Sequence, residues 1–438
     1  MYSVCLKSFK KIMQDLKKIY NWLKIQKKKQ KITVKEKDLT NLIFWQYSSK
    51  KIYHFSKKFF SILGLRVVSN FYKNKTWDQP IIYQNENGIL GVIRRDIGRQ
   101  PEYLMKANVE PGNINKLQIS PTVQATKSNY TRVHGGKKIK YLDYFLNIKQ
   151  SIVNIKQTEQ GFNYLLKKNK NILINLNSKI KVSERYRWIK RDNLISLIKK
   201  KNILNMDTLS VFSCSLKKNK YDKPIYNFDK INSWYKRMNR KYYLKIKIIK
   251  LVDMKNWKLT KKKITHNKKS YFSIIGIDVK AKSREVSQWS QPIIQHRSTH
   301  FAGFVIRNIN STVHYLVKYI IEPGYKLGSI TCSVKTSNIN NYNNNKNLSN
   351  KSKFLLKKYF FNKKNSSIKY DAIQSHEGGR FYKSQIRYMV VEINDNNIKF
   401  DENYKWVSQN QMISLIKKGL LDIEARLCFA CHNFNKII

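Results

Sequence analysis

The chain contains itself twice. Trp22 recurs as Trp234, 212 residues on, and the same spacing carries Trp45 to Trp257, His54 to His266, Phe60 to Phe272 and Gly64 to Gly276. It also carries Trp77-Asp78-Gln79-Pro80-Ile81-Ile82 to Trp289-Ser290-Gln291-Pro292-Ile293-Ile294, and ends with Glu110-Pro111-Gly112 on Glu322-Pro323-Gly324. One unbroken offset over about ninety residues, shared by three tryptophan pairs, excludes coincidence. The register then slips. Gln157-Thr158-Glu159-Gln160-Gly161 matches Gln374-Ser375-His376-Glu377-Gly378, 217 residues on, and Tyr186-Arg187-Trp188 matches Tyr404-Lys405-Trp406 after 218. The extra residues fall around an Asn-rich insertion at 338–351.

The expected organisation is therefore a basic lead-in at 1–18, a first repeat at 19–216, a linker at 217–230 and a second repeat at 231–438. At 438 residues each unit is long enough to bury a core. Within a unit the pattern is mixed. The segments 59–67, 88–94 and 103–109 read as strands, the last two paired across a turn near Gly98. Segment 192–203 reads as an amphipathic helix with Asp192 or Asn193 as N-cap, and its twin runs over 408–420, ended by Gly419. Strands followed by a late helix in each copy predict an α+β fold.

Charge gives a weaker constraint. The 87 Lys and Arg against 27 Asp and Glu leave a net charge of +60, which suggests a nucleic-acid binder. The lysines, however, are spread along almost the whole chain and accompany excess Asn, Ile and Tyr, as A/T-biased codon usage would produce. Nucleic acid is therefore not the expected partner. Five scattered cysteines make no disulfide framework. No apolar run reaches membrane-spanning length, so the expected location is the cytoplasm. Cys428-Phe429-Ala430-Cys431-His432 has the spacing of a haem attachment site. Cys431 matches Cys214 of the first repeat, however, and reads as a small core residue, with no further ligands spaced for zinc.

One stretch escapes the lysine drift. Residues 110–134 hold neutral hydrogen-bonding side chains and few charges, as a surface for a polar, uncharged ligand such as a sugar would. Its Ser120-Pro121-Thr122-Val123-Gln124-Ala125-Thr126 and Ser128-Asn129-Tyr130-Thr131-Arg132-Val133-His134 join Gln79-Pro80-Ile81-Ile82, Gly88-Ile89-Leu90-Gly91, Glu110-Pro111-Gly112-Asn113 and Tyr141-Leu142-Asp143-Tyr144-Phe145. With Arg284-Glu285-Val286, Trp289, Gln291-Pro292 and Glu377-Gly378-Gly379-Arg380-Phe381-Tyr382, these motifs resemble the NDP-hexose 2,3-dehydratases of deoxysugar biosynthesis. The resemblance covers 19–435. It implies two Nudix-hydrolase-like halves, a homodimer and a nucleotide-linked (usually dTDP) 4-keto-6-deoxyglucose losing water across C2 and C3. It implies no redox cofactor, and no Nudix box of clustered acids is present. A separate NADPH-dependent 3-ketoreductase would act on the product. The second repeat departs from the pattern at Ile330-Thr331-Cys332-Ser333-Val334-Lys335-Thr336.

Such a reaction needs a base at C3, a proton donor for the departing hydroxide and donors for the enolate oxygen. The candidates for proton transfer are His134, Tyr130 and Glu110. The competing readings are a surface histidine before Gly135-Gly136, a packed tyrosine and an acid bracing the Pro-Gly turn. Asn113, Gln118, Ser120, Thr122, Gln124, Thr126, Ser128 and Asn129 would meet sugar hydroxyls or the base, and Arg132 the diphosphate. Trp77 and Trp289, beside Gln79 and Gln291, would stack on a ring or simply fill the core. In the second repeat the candidates are Arg284, Glu377, Gly379, Arg380 and Tyr382. The alternative to an enzyme is a non-catalytic nucleotide-sugar or nucleic-acid binding module.

Overall fold

The computed structural model describes residues 2–72, 75–98, 100–133, 135–148, 150–176, 178–268, 271–339, 348–362, 366–395 and 398–438, with 2–9 described by backbone alone. The fold mixes helix and sheet, as the sequence predicts. Among the described residues the strands form two seven-stranded mixed sheets, one from each half of the chain, and two smaller sheets of five and six strands.

In the first large sheet the strand Gly88–Ile97 lies between Gln100–Val109, antiparallel, and Lys168–Asn175, parallel. Its opening run, Gly88 to Ile93, is buried on both faces, which is why it reads as continuous apolar sequence rather than alternation. Gly98 sits at φ +63 in the turn, where the sequence places it. In the second large sheet His300–Ile309 pairs with Thr312–Ile320 and, in parallel, with Gln385–Glu392.

Between the two large sheets lie two buried helices, Met206–Ser213 and Ile423–His432, packed on each other. Met206–Ser213 also packs on the first sheet and Ile423–His432 on the second, so the centre has four layers. Both begin on a side-chain cap. Asn205 accepts from the Thr208 amide, and Asp422 from the Ala425 amide. Almost every side chain on them is buried, so neither shows the amphipathic stripe by which helices are read from sequence. Cys428 and Cys431 lie here, inside the core.

The expected helix at 192–203 is shorter, Arg191–Leu197, and its N-cap position is Lys190 without a side-chain cap bond; Asp192 lies in the first turn instead. Its twin, Gln409–Lys417, has a full capping box from Ser408 and Gln411 and closes at Gly419, φ +67. A single helix, Tyr2–Lys29, runs across the expected boundary at residue 18, burying Ile19, Trp22 and Gln26 on one face. Trp22 donates to the Glu184 carbonyl at 3.0 Å, and Trp234, on helix Phe228–Lys241, to the Glu402 carbonyl at 2.7 Å. The insertion at 338–351 lies largely outside the described residues.

The halves exchange strands. Thr33–Lys37, from the first half, pairs antiparallel with Ser273–Lys280 of the second, and Leu244–Ile249 pairs with Ser61–Ser69 of the first. The crossing bonds come in matched pairs. Trp45 donates to the Ser290 carbonyl and Trp257 to the Asp78 carbonyl, both at 2.7 Å. The Gly112 amide donates to Gly378 at 2.7 Å, and the Gly324 amide to Gly161 at 2.6 Å. Two of the main apolar clusters draw on both halves.

The two Pro-Gly turns tolerate no side chain. A Cβ on Gly112 would stand 1.8 Å from the Phe381 carbonyl oxygen, and one on Gly324 1.8 Å from that of Tyr164. Both obstacles are backbone, which cannot swing aside. Gly112→Ala is expected to cost about 3 kcal/mol or more. Gly98→Ala, which meets nothing within 4 Å, should cost only about 1 kcal/mol for its left-handed backbone. Urea unfolding of both variants checks the contrast; equal losses would mean that the seam is not this tight.

Candidate active site

A cavity of about 470 Å³ opens where the halves meet, within the range of small-molecule sites. Its aromatic wall comes from Phe44, Trp45, Phe59, Phe60 and Trp289. Its polar lining includes Glu110, Thr126 and Asn129 from one half and Arg284, Glu285, Gln291, Gly379 and Arg380 from the other. Neither half could build it alone.

Glu110 is the buried acid of this cavity, 3 % exposed. It follows strand Gln100–Val109 and enters the Pro111-Gly112 turn that abuts the other half. Gln124 Nε2 donates to its Oε1 at 2.6 Å; the Gly378 amide donates to Oε2 at 3.1 Å and Asn113 Nδ2 at 3.4 Å. Burial, then the charge of Glu377, pushes its pKa above the ordinary carboxylate value, against the pull of Arg284 and these donors. A carboxyl held in this way is a stronger base than a solvated one.

The cations are fixed. Arg284 Nη1 donates to Asn108 Oδ1 at 3.0 Å, and its Nε lies 3.4 Å from Glu285 Oε2. Burial alone would raise the Glu285 carboxyl, but Arg284, Lys106 and Arg185 outweigh it and hold it at about 2. Buried Lys106 is brought down to about 8, burial prevailing over the attraction of Glu285. The Arg380 guanidinium lies 4.1 Å from the Phe60 ring centroid and donates to the Gly379 carbonyl. Gln291 Nε2 donates to that same carbonyl at 2.6 Å, and its Oε1 accepts from Trp289 Nε1. These contacts fix the turn at 377–382 against the cavity. Glu377 accepts from the Tyr164 hydroxyl at 2.7 Å.

The sequence-predicted residues divide sharply. Glu110, Thr126, Asn129, Arg284, Trp289, Gln291, Gly379 and Arg380 line the cavity, with Gln124 and Asn113 bonded directly to Glu110. Others serve the scaffold. Thr122 donates to the Leu104 carbonyl and accepts from the Ile93 amide, a bridge repeated by Ser333 with Leu316 and Val305. Ser120 donates to the Lys106 carbonyl, and Gln118 to Asn202 and Ser375. Gln79 joins Trp77 to the Phe162 carbonyl, mirroring Trp289 and Gln291 at a place away from the cavity. The Ser128 amide donates to the Glu86 carboxylate. Tyr130 packs against the first-half core, and Tyr382 lies within the central one. Arg132 is exposed, at φ +54, donating to the Gly136 carbonyl. His134 lies outside the described residues.

Of the aromatic wall the sequence names Trp289 alone; it misses Phe44, Trp45, Phe59 and Phe60, and also His54, which lines the cavity beside Trp45. The duplicated Trp45/Trp257 and His54/His266 pairs were visible, but nothing local marked one copy as facing a ligand. In the second half the acid matching Glu110 is neutralised differently. Glu322 lies 2.6 Å from Lys335 Nζ, which Asp422 and Glu424 also approach at 2.9 and 3.2 Å.

An aromatic slot with a raised-pKa acid, fixed arginines and neutral donors has the chemical parts to hold a polar ring and move a proton. The chain belongs to the NDP-hexose 2,3-dehydratase family, whose model matches residues 16–215 and again 228–431. Among curated relatives it is 34% identical over 403 residues to a dTDP-4-dehydro-6-deoxy-alpha-D-glucopyranose 2,3-dehydratase of Streptomyces violaceoruber, covering 88% of this chain and 89% of that one. A protein of the same name from Saccharopolyspora spinosa is 30% identical over 410 residues, with 87% and 84% covered. The family makes the activity that of a hydro-lyase. Among the described residues no helix is long and apolar enough to cross a membrane.

Proposed function

We propose that the protein removes water across C2 and C3 of a dTDP-linked 4-keto-6-deoxy-D-glucose. The observation that carries this reading is Glu110, a buried carboxylate of raised pKa opening onto a cavity lined by neutral donors and arginine. The C4 ketone acidifies the C3 hydrogen, because the electron pair released delocalises onto the ketone oxygen. Glu110 takes that proton. Arg284 and Asn129 hold the developing enolate oxygen. The C2–O bond then breaks, and the proton held by Glu110 passes to the departing hydroxyl on the same face, leaving the carboxylate ready for another turnover. The aromatic wall packs the base or sugar ring, and Arg380 takes the diphosphate.

The two matched stretches, 19–216 and 231–438, are read as Nudix-hydrolase-like repeats of which the seam cavity is the working site. A homodimer, a cytoplasmic location and a following NADPH-dependent 3-ketoreductase belong to the same reading. Incubation with dTDP-4-keto-6-deoxyglucose, a 3-ketoreductase and NADPH should yield a 2,6-dideoxy sugar nucleotide. Retention of the C2 hydroxyl by a protein that binds the substrate would overturn it.

A further inference from the structure

Three histidines meet beside the turn that carries Gly379 and Arg380. His296 follows strand Gln288–Gln295, His300 opens His300–Ile309 and His376 follows Ser367–Ser375. One ring nitrogen of each lies within 4.8 Å of those of the other two. The ring centroids are 4.2 Å apart for His296 and His300, 4.9 Å for His300 and His376, and 5.6 Å for His296 and His376. His376 is 2 % exposed, and Nε2 of both His300 and His376 is buried without a hydrogen-bond partner. Buried polar atoms in folded proteins are normally paired, so two unpaired nitrogens in one small cluster point to a missing partner.

The first half shows that the fold does not require imidazoles here. The matching positions are Gln84, Gly88 and Glu159. There Gln84 donates to Glu86, and Glu159 accepts from Asn169, so those polar groups are paired within the chain. Only the second half carries histidine at all three positions.

We propose that His296, His300 and His376 form a zinc site that pins the turn presenting Gly379 and Arg380 to the cavity. Imidazole nitrogen suits zinc, whereas magnesium and calcium take oxygen. Zinc–nitrogen bonds of about 2.0–2.1 Å in a tetrahedron hold the nitrogens about 3.3 Å apart, so closing the cluster needs only small side-chain rotations. The ammonium of Lys335, which acts on His300 and His376, is drawn instead to Glu322, Asp422 and Glu424 at 2.6, 2.9 and 3.2 Å. The rings stand where a metal would brace the turn. Phe381, next to Arg380, stacks on His296 at 5.5 Å and lies 5.4 Å from His376. The role is structural, and no step of the dehydration passes through the metal.

The test uses the full chain, purified without a metal-affinity tag and stripped with chelator. Cobalt should give the visible bands of a tetrahedral nitrogen-ligated ion, displaced by one equivalent of zinc, and elemental analysis should find one zinc per chain after dialysis. His376→Ala should weaken zinc by about a hundredfold or more. If that variant does not fold, the double variant His296→Gln with His300→Gly, which restores the first-half residues, should fold and lose the cobalt bands. His266→Gln should change nothing. A wild-type protein that retains no zinc, or zinc that persists unchanged in both cluster variants, would overturn the site.

Discussion

Glu110→Gln should lower kcat by about 10²–10⁴ while leaving KM within a few-fold, the loss expected when a positioned proton-transfer group is removed. The replacement keeps the side chain's size. The pH profile gives a second readout. Burial and Glu377 raise this carboxyl, and the base works only when ionised, so wild-type activity should fall with falling pH above the ordinary carboxylate range. The variant's residual activity should lack that limb. The sign for stability is the reverse. A native pKa above the unfolded one means that the native state binds the proton more tightly. Glu110 therefore favours folding below that range and loses the contribution as pH rises through its native pKa. Full turnover by the glutamine variant would remove Glu110 from the chemistry.

Arg426→Met should cost about 3–5 kcal/mol, the penalty for stripping a buried charge from its partners. Arg426 is 0 % exposed, on the second-half helix of the central pair. Its Nη1 donates to the hydroxyls of Ser210 and Ser213 at 2.7 and 3.1 Å, and its Nη2 to the Thr158 carbonyl at 3.3 Å, all across the seam. Its charge also offsets buried Glu159, with Lys167, and buried Asp207, both raised above the ordinary range first by burial and then by neighbouring acids. Adding Asp207→Asn to Arg426→Met should recover part of the loss, and a double-mutant cycle in urea measures the coupling. A single-variant loss under about 1 kcal/mol would show that water or relaxation replaces the guanidinium.

What neighbouring residues encode was legible where turn and helix-end residues were explicit; which strand pairs with which was not. The hairpin across Gly98 and the helix that Gly419 ends are written in neighbouring residues and are legible. The exchange of Thr33–Lys37 was not, since Thr-Val-Lys-Glu-Lys carries no mark of a partner more than two hundred residues away. Polar composition located the island that supplies Glu110, Thr126 and Asn129. It could not separate them from Thr122 and Gln118, because a hydroxyl or amide bound to buried backbone has the same composition as one awaiting a ligand. The histidine cluster escaped for another reason: His376 joins the other two only through sheet pairing of Ser367–Ser375 with Gln385–Glu392 and of that strand with His300–Ile309.

The swapped strands impose an order on biosynthesis. While the ribosome is still adding the second half, Ser61–Ser69 has one flank without its partner, and Thr33–Lys37 has no sheet to join. A nascent chain in that condition offers bare backbone to its neighbours on the polysome. Lysines along both travelling segments, Lys35 and Lys37 in one and Lys245 and Lys247 in the other, would make such chains repel one another. Lysine on the strands that cross between the halves would in this way keep unfinished chains apart.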